Sequence, residues 1–322
     1  MINSVKIYNS EESNLLTTNA AKSKEIFSQD MILRFITFLD VAPITIKSYS
    51  AGIKTFARYL RNNAITQPTR ENILDFKNNL TESGHKPATV ALYLSAIRRF
   101  FSWLESMKIY PNITIGVKAP RIDKGYKKDF FSGEQVKQIL HGISRGNIEG
   151  LRNYAMFALM INCGLRTVEV ARANVEDMRT INGVSVLFIQ GKGRTSKSDF
   201  VQLPSQVEKA IRAYLKARGQ ARPDSPLFVS HSRRNSGQRL TTRTISGVAK
   251  NAMIQAGFNS ARLTAHSLRH SAVTLALLAG LTLSEVQAFA RHSNIATTQI
   301  YAHNIDRLKS KCESVISHAI FD

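Results

Sequence analysis

Between Pro111 and Asp129 the apolar periodicity of the chain stops, and this interruption constrains the fold more than any other feature. The stretch carries Pro111, Gly116, Pro120 and Gly125 among several lysines and arginines, so it reads as a basic linker over 111–129. The 322 residues are enough for about two domains of roughly 150 residues, each with its own core.

Ahead of the linker, residues 1–26 are rich in Asn, Ser, Thr and Glu without a period and read as a polar N-terminal arm. From Gln29 apolar residues recur at threes and fours: Ile32, Phe35, Ile36 and Leu39, then Ile46, Tyr49, Ile53, Phe56 and Leu60. Ile73, Phe76 and Leu80 follow a Thr69 cap, and Val90, Leu94, Ile97, Phe101 and Leu104 follow a break at Ser83 to Pro87. Four amphipathic helices in ~80 residues predict a compact bundle over 27–110. Lys47, Lys54 and Arg58 on the second helix and Arg98 and Arg99 on the fourth give it a basic face.

Beyond the linker, 130–322 reads as mostly helical with a small antiparallel sheet. Ser132 to Gln135 has the form of a capping box, and so does Thr282 to Glu285. Asn153 to Gly164 reads as a buried helix. Val184 to Ile189 and Phe200 to Leu203 read as strands joined by a turn rich in Gly and Lys, Gly191 to Lys197. Ser205 with Glu208 is expected to cap a helix that ends at Arg218-Gly219, and Thr242 to Ala256 reads as another. From about residue 304 a tail begins, with Leu308, Cys312, Val315, Ile316, Ala319 and Ile320 at helical spacing.

Lys and Arg number 44 against 23 Asp and Glu, a formal net charge of +21. Such a surplus favours a polyanionic partner, nucleic acid first, although ribosomal and membrane-surface proteins can be equally basic. A hydrophobic content of 43% excludes a disordered chain. Cys163 and Cys312 stand far apart with no second ligand at metal-binding spacing, so neither a zinc site nor a disulfide framework is expected. Met1 to Asn14 has no apolar signal core, and the longest apolar run, Ala272 to Leu283, is too short to span a bilayer. These features predict a soluble protein of the cytoplasm.

Chemistry concentrates between Thr264 and Tyr301. His266 and Arg269, three apart on a helix, share a face; His270, one position beyond, is expected to face elsewhere and to be structural. An apolar segment separates them from Arg291 and His292, and Tyr301 lies nine residues further on. Arginine neutralises phosphate oxygens, histidine moves protons near neutral pH and a phenol can attack phosphorus. Upstream, Arg166 and Glu169 stand in Asn-Cys-Gly-Leu-Arg-Thr-Val-Glu.

Together, His-Ser-Leu-Arg-His at 266–270, Arg-His-Ser at 291–293, Gln-Ile-Tyr at 299–301 and the box around Arg166 resemble the catalytic boxes of the tyrosine recombinases, the phage integrase and Xer-type enzymes. The resemblance covers roughly residues 28 to 310. It implies a two-domain DNA clamp: a SAM-like helical core-binding domain over 27–110 and an α+β catalytic domain over 130–322. It also implies site-specific recombination through a 3'-phosphotyrosyl intermediate on Tyr301 and a Holliday junction. Because a phosphodiester is exchanged for a phosphoester of similar energy, no cofactor or metal is required.

By the same resemblance Arg166 and Arg269 bind the non-bridging oxygens and His292 donates to the same phosphate, while His266 is placed to accept or shuttle the tyrosine proton. Glu169 orients Arg166, the alternative being a surface ion pair of little value. Lys192 in Gly-Lys-Gly is the expected general acid, with Lys197 or Lys118 as alternatives. The family usually has Gly before the second histidine, where this chain has Arg291; that puts the local backbone in question and makes Arg291 a further candidate phosphate contact. The implied partner is double-stranded DNA with inverted-repeat half-sites, bound by a homotetramer or a heterotetramer with a paralogue, and the tail is expected to insert into a neighbouring protomer. Two other readings share features of the site: a type IB topoisomerase, and a DNA-binding architectural protein without the chemistry.

Overall fold

The structure, a computed structural model, describes residues 27–122, 129–191 and 193–321. The chain divides into two units, Met1–Lys124 and Gly125–Asp322. The predicted arm over 1–26, the middle of the predicted linker and Lys192 lie outside the described residues.

In the first unit the four predicted helices form as α1 (Gln29–Phe38), α2 (Pro43–Asn62), α3 (Arg70–Glu82) and α4 (Pro87–Ser106). Ser28 Oγ caps α1 by accepting from Met31 N at 3.2 Å. α2 and α4 begin on proline, whose missing N–H costs nothing in the first turn. α4 buries Val90, Leu94, Ile97, Phe100, Phe101 and Leu104, and α2 packs along it. The helix-weakening Gly52, about 1 kcal/mol worse than alanine in a helix, is there for that contact. A Cβ at Gly52 would sit 3.1 Å from Tyr93 Cα and 3.2 Å from Ala96 Cβ.

The first half of the predicted linker is not free. Arg70 Nε donates to Ile115 O at 3.2 Å and Arg98 Nη2 to Val117 O at 2.5 Å, while Val117 joins the bundle core. An aperiodic stretch docks because donors elsewhere in the bundle satisfy its backbone carbonyls.

The second unit contains α5 (Gly133–Gly142), α6 (Ile148–Asn162), α7 (Thr167–Arg172), strands β1 (Met178–Ile181), β2 (Val184–Ile189) and β3 (Asp199–Gln202), then α8 (Ser205–Arg218) and α9 (Thr242–Gln255). The chain finishes with α10 (Ala265–Leu278), α11 (Leu283–Ala290), α12 (Ala296–Lys309) and α13 (Cys312–Phe321). α6 is the core element: every residue from Ala155 to Ile161 is buried, and α5, α8, α9 and α10 pack on it. Each large side chain so buried contributes about 1.5–3 kcal/mol of hydrophobic stabilisation.

The strands form an antiparallel meander in the order β1-β2-β3, with Met178 opposite Leu187 and Val186 opposite Gln202. β1 was not expected, because it is exposed and lacks alternation; Asn182-Gly183, both at positive φ, make the tight turn into β2. The expected Ser205–Glu208 cap is also corrected. Pro204 takes the cap position of α8, and Glu208 accepts from Arg212 Nε at 2.7 Å instead. Among the described residues no helix is long and apolar enough to cross a membrane.

Candidate active site

The site starts at the end of α6. Gly164 takes φ +58°, and a Cβ there would sit 3.1 Å from the Phe289 ring, so the turn needs a glycine on both counts. It sends Leu165 into the core and leaves Arg166 at the N-cap of α7. Glu169, in the first turn, accepts from Arg166 N at 2.8 Å through Oε2 and from Arg166 Nη1 at 2.9 Å through Oε1. The Glu169 side chain is 1% exposed, so the pair is no surface ion pair; it fixes the guanidinium direction.

Arg269 on α10 is buried. Its Nη1 donates to Gly164 O at 2.5 Å and its Nη2 to Ala290 O, tying α10 to the ends of α6 and α11. Burial first, then the cations of Arg166 and Arg291, push its pKa down to about 9, and it remains charged at neutral pH.

Thr282 caps α11 with Glu285, as expected, and the helix ends at Arg291. Arg291 has φ 53° and ψ 46°, left-handed backbone that costs a non-glycine residue roughly 1–2 kcal/mol. Its side chain turns inward: Nη1 donates to Phe289 O at 2.8 Å, and Nη2 to Gly164 O at 3.2 Å and Glu169 Oε2 at 3.3 Å. His292 follows, with Nδ1 2.9 Å from the hydroxyl of the fully buried Thr298. Burial, then Arg269, Arg166, Arg291 and His266, hold its pKa down to about 4, so the ring is neutral at physiological pH.

Tyr301 lies on α12, packed among Val273, Val286 and Ala290, with its ring stacked 6.3 Å from that of His292. Its hydroxyl is hydrogen-bonded to Nδ1 of His270, and the His270 ring meets His266 edge-on at 4.5 Å. This corrects the expectation that His270 faces elsewhere. Residues four apart on a helix are neighbours as surely as those three apart, and α12 lies against the face that carries His270. His266 is exposed, beside a cleft of about 540 Å³ that Arg166, Lys250 and Thr264 also line. Lys250 donates to the Ser260 and Leu263 carbonyls at 2.6 and 3.1 Å, holding the segment that leads into α10.

Lys192 lies outside the described residues; beside it, Gly191 O accepts from Arg172 Nη1 at 3.2 Å. The alternative acid Lys197 is engaged with the buried Asp177 at 2.6 Å. On the first unit Lys47, Lys54, Arg58 and Arg99 are exposed, whereas Arg98 is turned to Val117. His270, Thr298 and Lys250 were not picked out from sequence as site residues. Of these, His270 stands inside the His-Ser-Leu-Arg-His box. Among the described residues no cluster of three or more His, Cys, Asp or Glu suits a metal ion.

Residues 129–307 match the phage integrase family, and residues 34–108 match the phage integrase N-terminal SAM-like domain. The chain belongs to the phage integrase family of tyrosine recombinases. It is 34% identical over 269 residues to tyrosine recombinase XerC of Haemophilus influenzae, covering 82% of this chain and 87% of the relative. It is 28% identical over 299 residues to tyrosine recombinase XerD of Listeria monocytogenes, covering 88% and 96%. Among solved structures, XerH site-specific recombinase in a post-cleavage complex with palindromic difH substrate shares the fold at a TM-score of 0.70 and 19% identity, covering 98% of this chain and 91% of that one. A lambda integrase dimer bound to a COC' core site does so at 0.68 and 14%, covering 92% and 81%.

Proposed function

We propose that this tyrosine recombinase cuts and rejoins duplex DNA at specific sites, with Tyr301 attacking a phosphate held by Arg166 and Arg269. The Tyr301 oxygen forms a bond to phosphorus as the bond from phosphorus to the 5' oxygen breaks, leaving a 3'-phosphotyrosine and a 5'-hydroxyl. The phenolic proton passes to His270 Nδ1, with His266 next to it at the solvent side, and Lys192 supplies a proton to the 5' oxygen. His292 donates to the phosphate alongside the arginines, which offset the charge of the pentacoordinate state. The 5'-hydroxyl of a partner strand then reverses the reaction, and no external energy source is needed.

One observation carries this reading: the Tyr301 phenol is hydrogen-bonded to His270 beside Arg269, where burial first and neighbouring cations second hold the Arg269 and His292 pKa values down, an environment suited to an anion. A non-cleaving DNA-binding protein has no use for that phenol. The N-terminal unit, through Lys47, Lys54, Arg58 and Arg99, supplies the other half of a clamp on inverted-repeat half-sites. A lambda integrase tetramer bound to a Holliday junction has the same fold at a TM-score of 0.63, and we assign this chain an analogous tetramer in the cytoplasm. A half-site substrate that loses its 5' fragment after cleavage tests the chemistry. Wild type should accumulate a covalent protein-DNA band and Tyr301→Phe none; a band from the variant, or none from wild type on its cognate site, overturns the assignment. Relaxation of any supercoiled plasmid regardless of site would favour the topoisomerase reading.

A further inference from the structure

The geometry points to Arg291 as a positioning residue for the two phosphate-binding arginines, acting through the Glu169 carboxylate and the Gly164 carbonyl without touching the phosphate itself. This inference rests on the tyrosine-cleavage reading above.

Arg291 occupies backbone at φ 53°, where glycine is unstrained and arginine is not. Its side chain is half-buried, 12% exposed, and its Nη groups are directed at protein oxygens. Two of those oxygens, Glu169 Oε2 and Gly164 O, both reached by Nη2, belong to the groups that set the other two arginines. Glu169 Oε1 holds the Arg166 guanidinium, while Oε2 holds the Arg166 backbone N–H and accepts from Arg291. Gly164 O accepts from Arg269 Nη1 and from Arg291 Nη2. One carboxylate and one carbonyl therefore join three guanidinium groups drawn from α7, α10 and the end of α11. Removing the third takes one of two donors from Glu169 Oε2 and one of two from Gly164 O, loosening the restraint on the carboxylate that holds Arg166 and on the turn that meets Arg269.

Charge agrees with geometry. With a single carboxylate among three guanidinium groups, the cluster carries surplus positive charge facing the scissile phosphate, whose own charge grows in the pentacoordinate state. Arg291 is also among the cations that keep His292 neutral.

Arg291→Gly separates the possibilities, because it removes the guanidinium while relieving the backbone. We expect single-turnover cleavage of the half-site substrate to slow by about 10- to 100-fold, the loss typical of a slightly misplaced reacting group, with half-site affinity within about twofold of wild type. The melting temperature should be unchanged or higher. Arg291→Lys, which keeps a charge but not the fork, should recover part of the rate. Glu169→Gln combined with Arg291→Gly should be little slower than Glu169→Gln alone, since both act on the same pair. Wild-type cleavage with Tyr301→Phe inactive secures the underlying reading first. Given that, Arg291→Gly cleaving at the wild-type rate overturns the inference alone; so does weaker half-site binding in proportion to the rate, which would mark a phosphate contact, and so does full additivity with Glu169→Gln.

Discussion

The hydroxyl of Tyr301 is hydrogen-bonded to Nδ1 of His270, and their rings lie 5.2 Å apart at 35°. A base in contact with the nucleophile typically contributes 10²-fold or more. His270→Ala should therefore slow half-site cleavage by about 100-fold without weakening DNA binding, and His266→Ala should slow it less. Single-turnover rates for the two variants decide the order; the reverse ranking would return the proton acceptor to His266, as expected from the sequence.

Arg269 is as much a structural tie as a phosphate ligand, because it satisfies the Gly164 and Ala290 carbonyls. Gly164 O keeps a bond from Arg291 when Arg269 is removed, whereas Ala290 O loses the Arg269 donor. Arg269→Ala should destabilise the protein by about 2–3 kcal/mol, in the range for stranding a buried polar group next to a new void. Urea unfolding followed by circular dichroism measures this, and a midpoint equal to wild type contradicts it.

Gly164→Ala combines a strained φ with a contact at 3.1 Å to the Phe289 ring. A loss of about 1–3 kcal/mol is expected, from the backbone term plus the contact. Adding Phe289→Leu should return part of the loss by making room. No recovery in the double variant would place the whole cost in the backbone.

His292 gives the protein an acid-sensitive step. Its folded-state pKa of about 4 lies below the ordinary 6.5, so between those values the unfolded chain takes up the proton more readily. The His292 contribution is fully present above 6.5 and is lost as pH falls toward 4. Urea midpoints should decline across that window in wild type and decline less in His292→Gln. Parallel curves would show that His292 titrates normally.

α13 exposes Val315, Ile316, Ile320 and Phe321, an apolar row that calls for a partner surface. Deleting Lys309 to Asp322 should spare binding to one half-site but impair assembly and recombination. Gel-shift and recombination assays on the truncated protein check this, and full recombination would refute it.

The helices, several of their caps and the reactive side-chain types were legible in sequence because they depend on neighbours within four residues. Phe35, Phe56, Leu94 and Phe101 sit at helical spacing and are buried, and Ser132 with Gln135 forms its capping box. β1 was signalled by Asn182-Gly183 alone, since an exposed strand carries no alternation. The α8 cap moved by one position because Pro204 already supplies the extended entry.

The sequence by itself determined that a tyrosine, two arginines and histidines would stand in recombinase boxes, since order along the chain is all that such boxes require. Tertiary structure decided which histidine meets Tyr301, that Arg291 turns inward, and that Gly164 O serves arginines more than 100 residues away, Arg269 at a separation of 105 and Arg291 at 127. Those outcomes depend on how α6, α10, α11 and α12 cross, and helix crossing is fixed by packing between distant residues rather than by any local pattern.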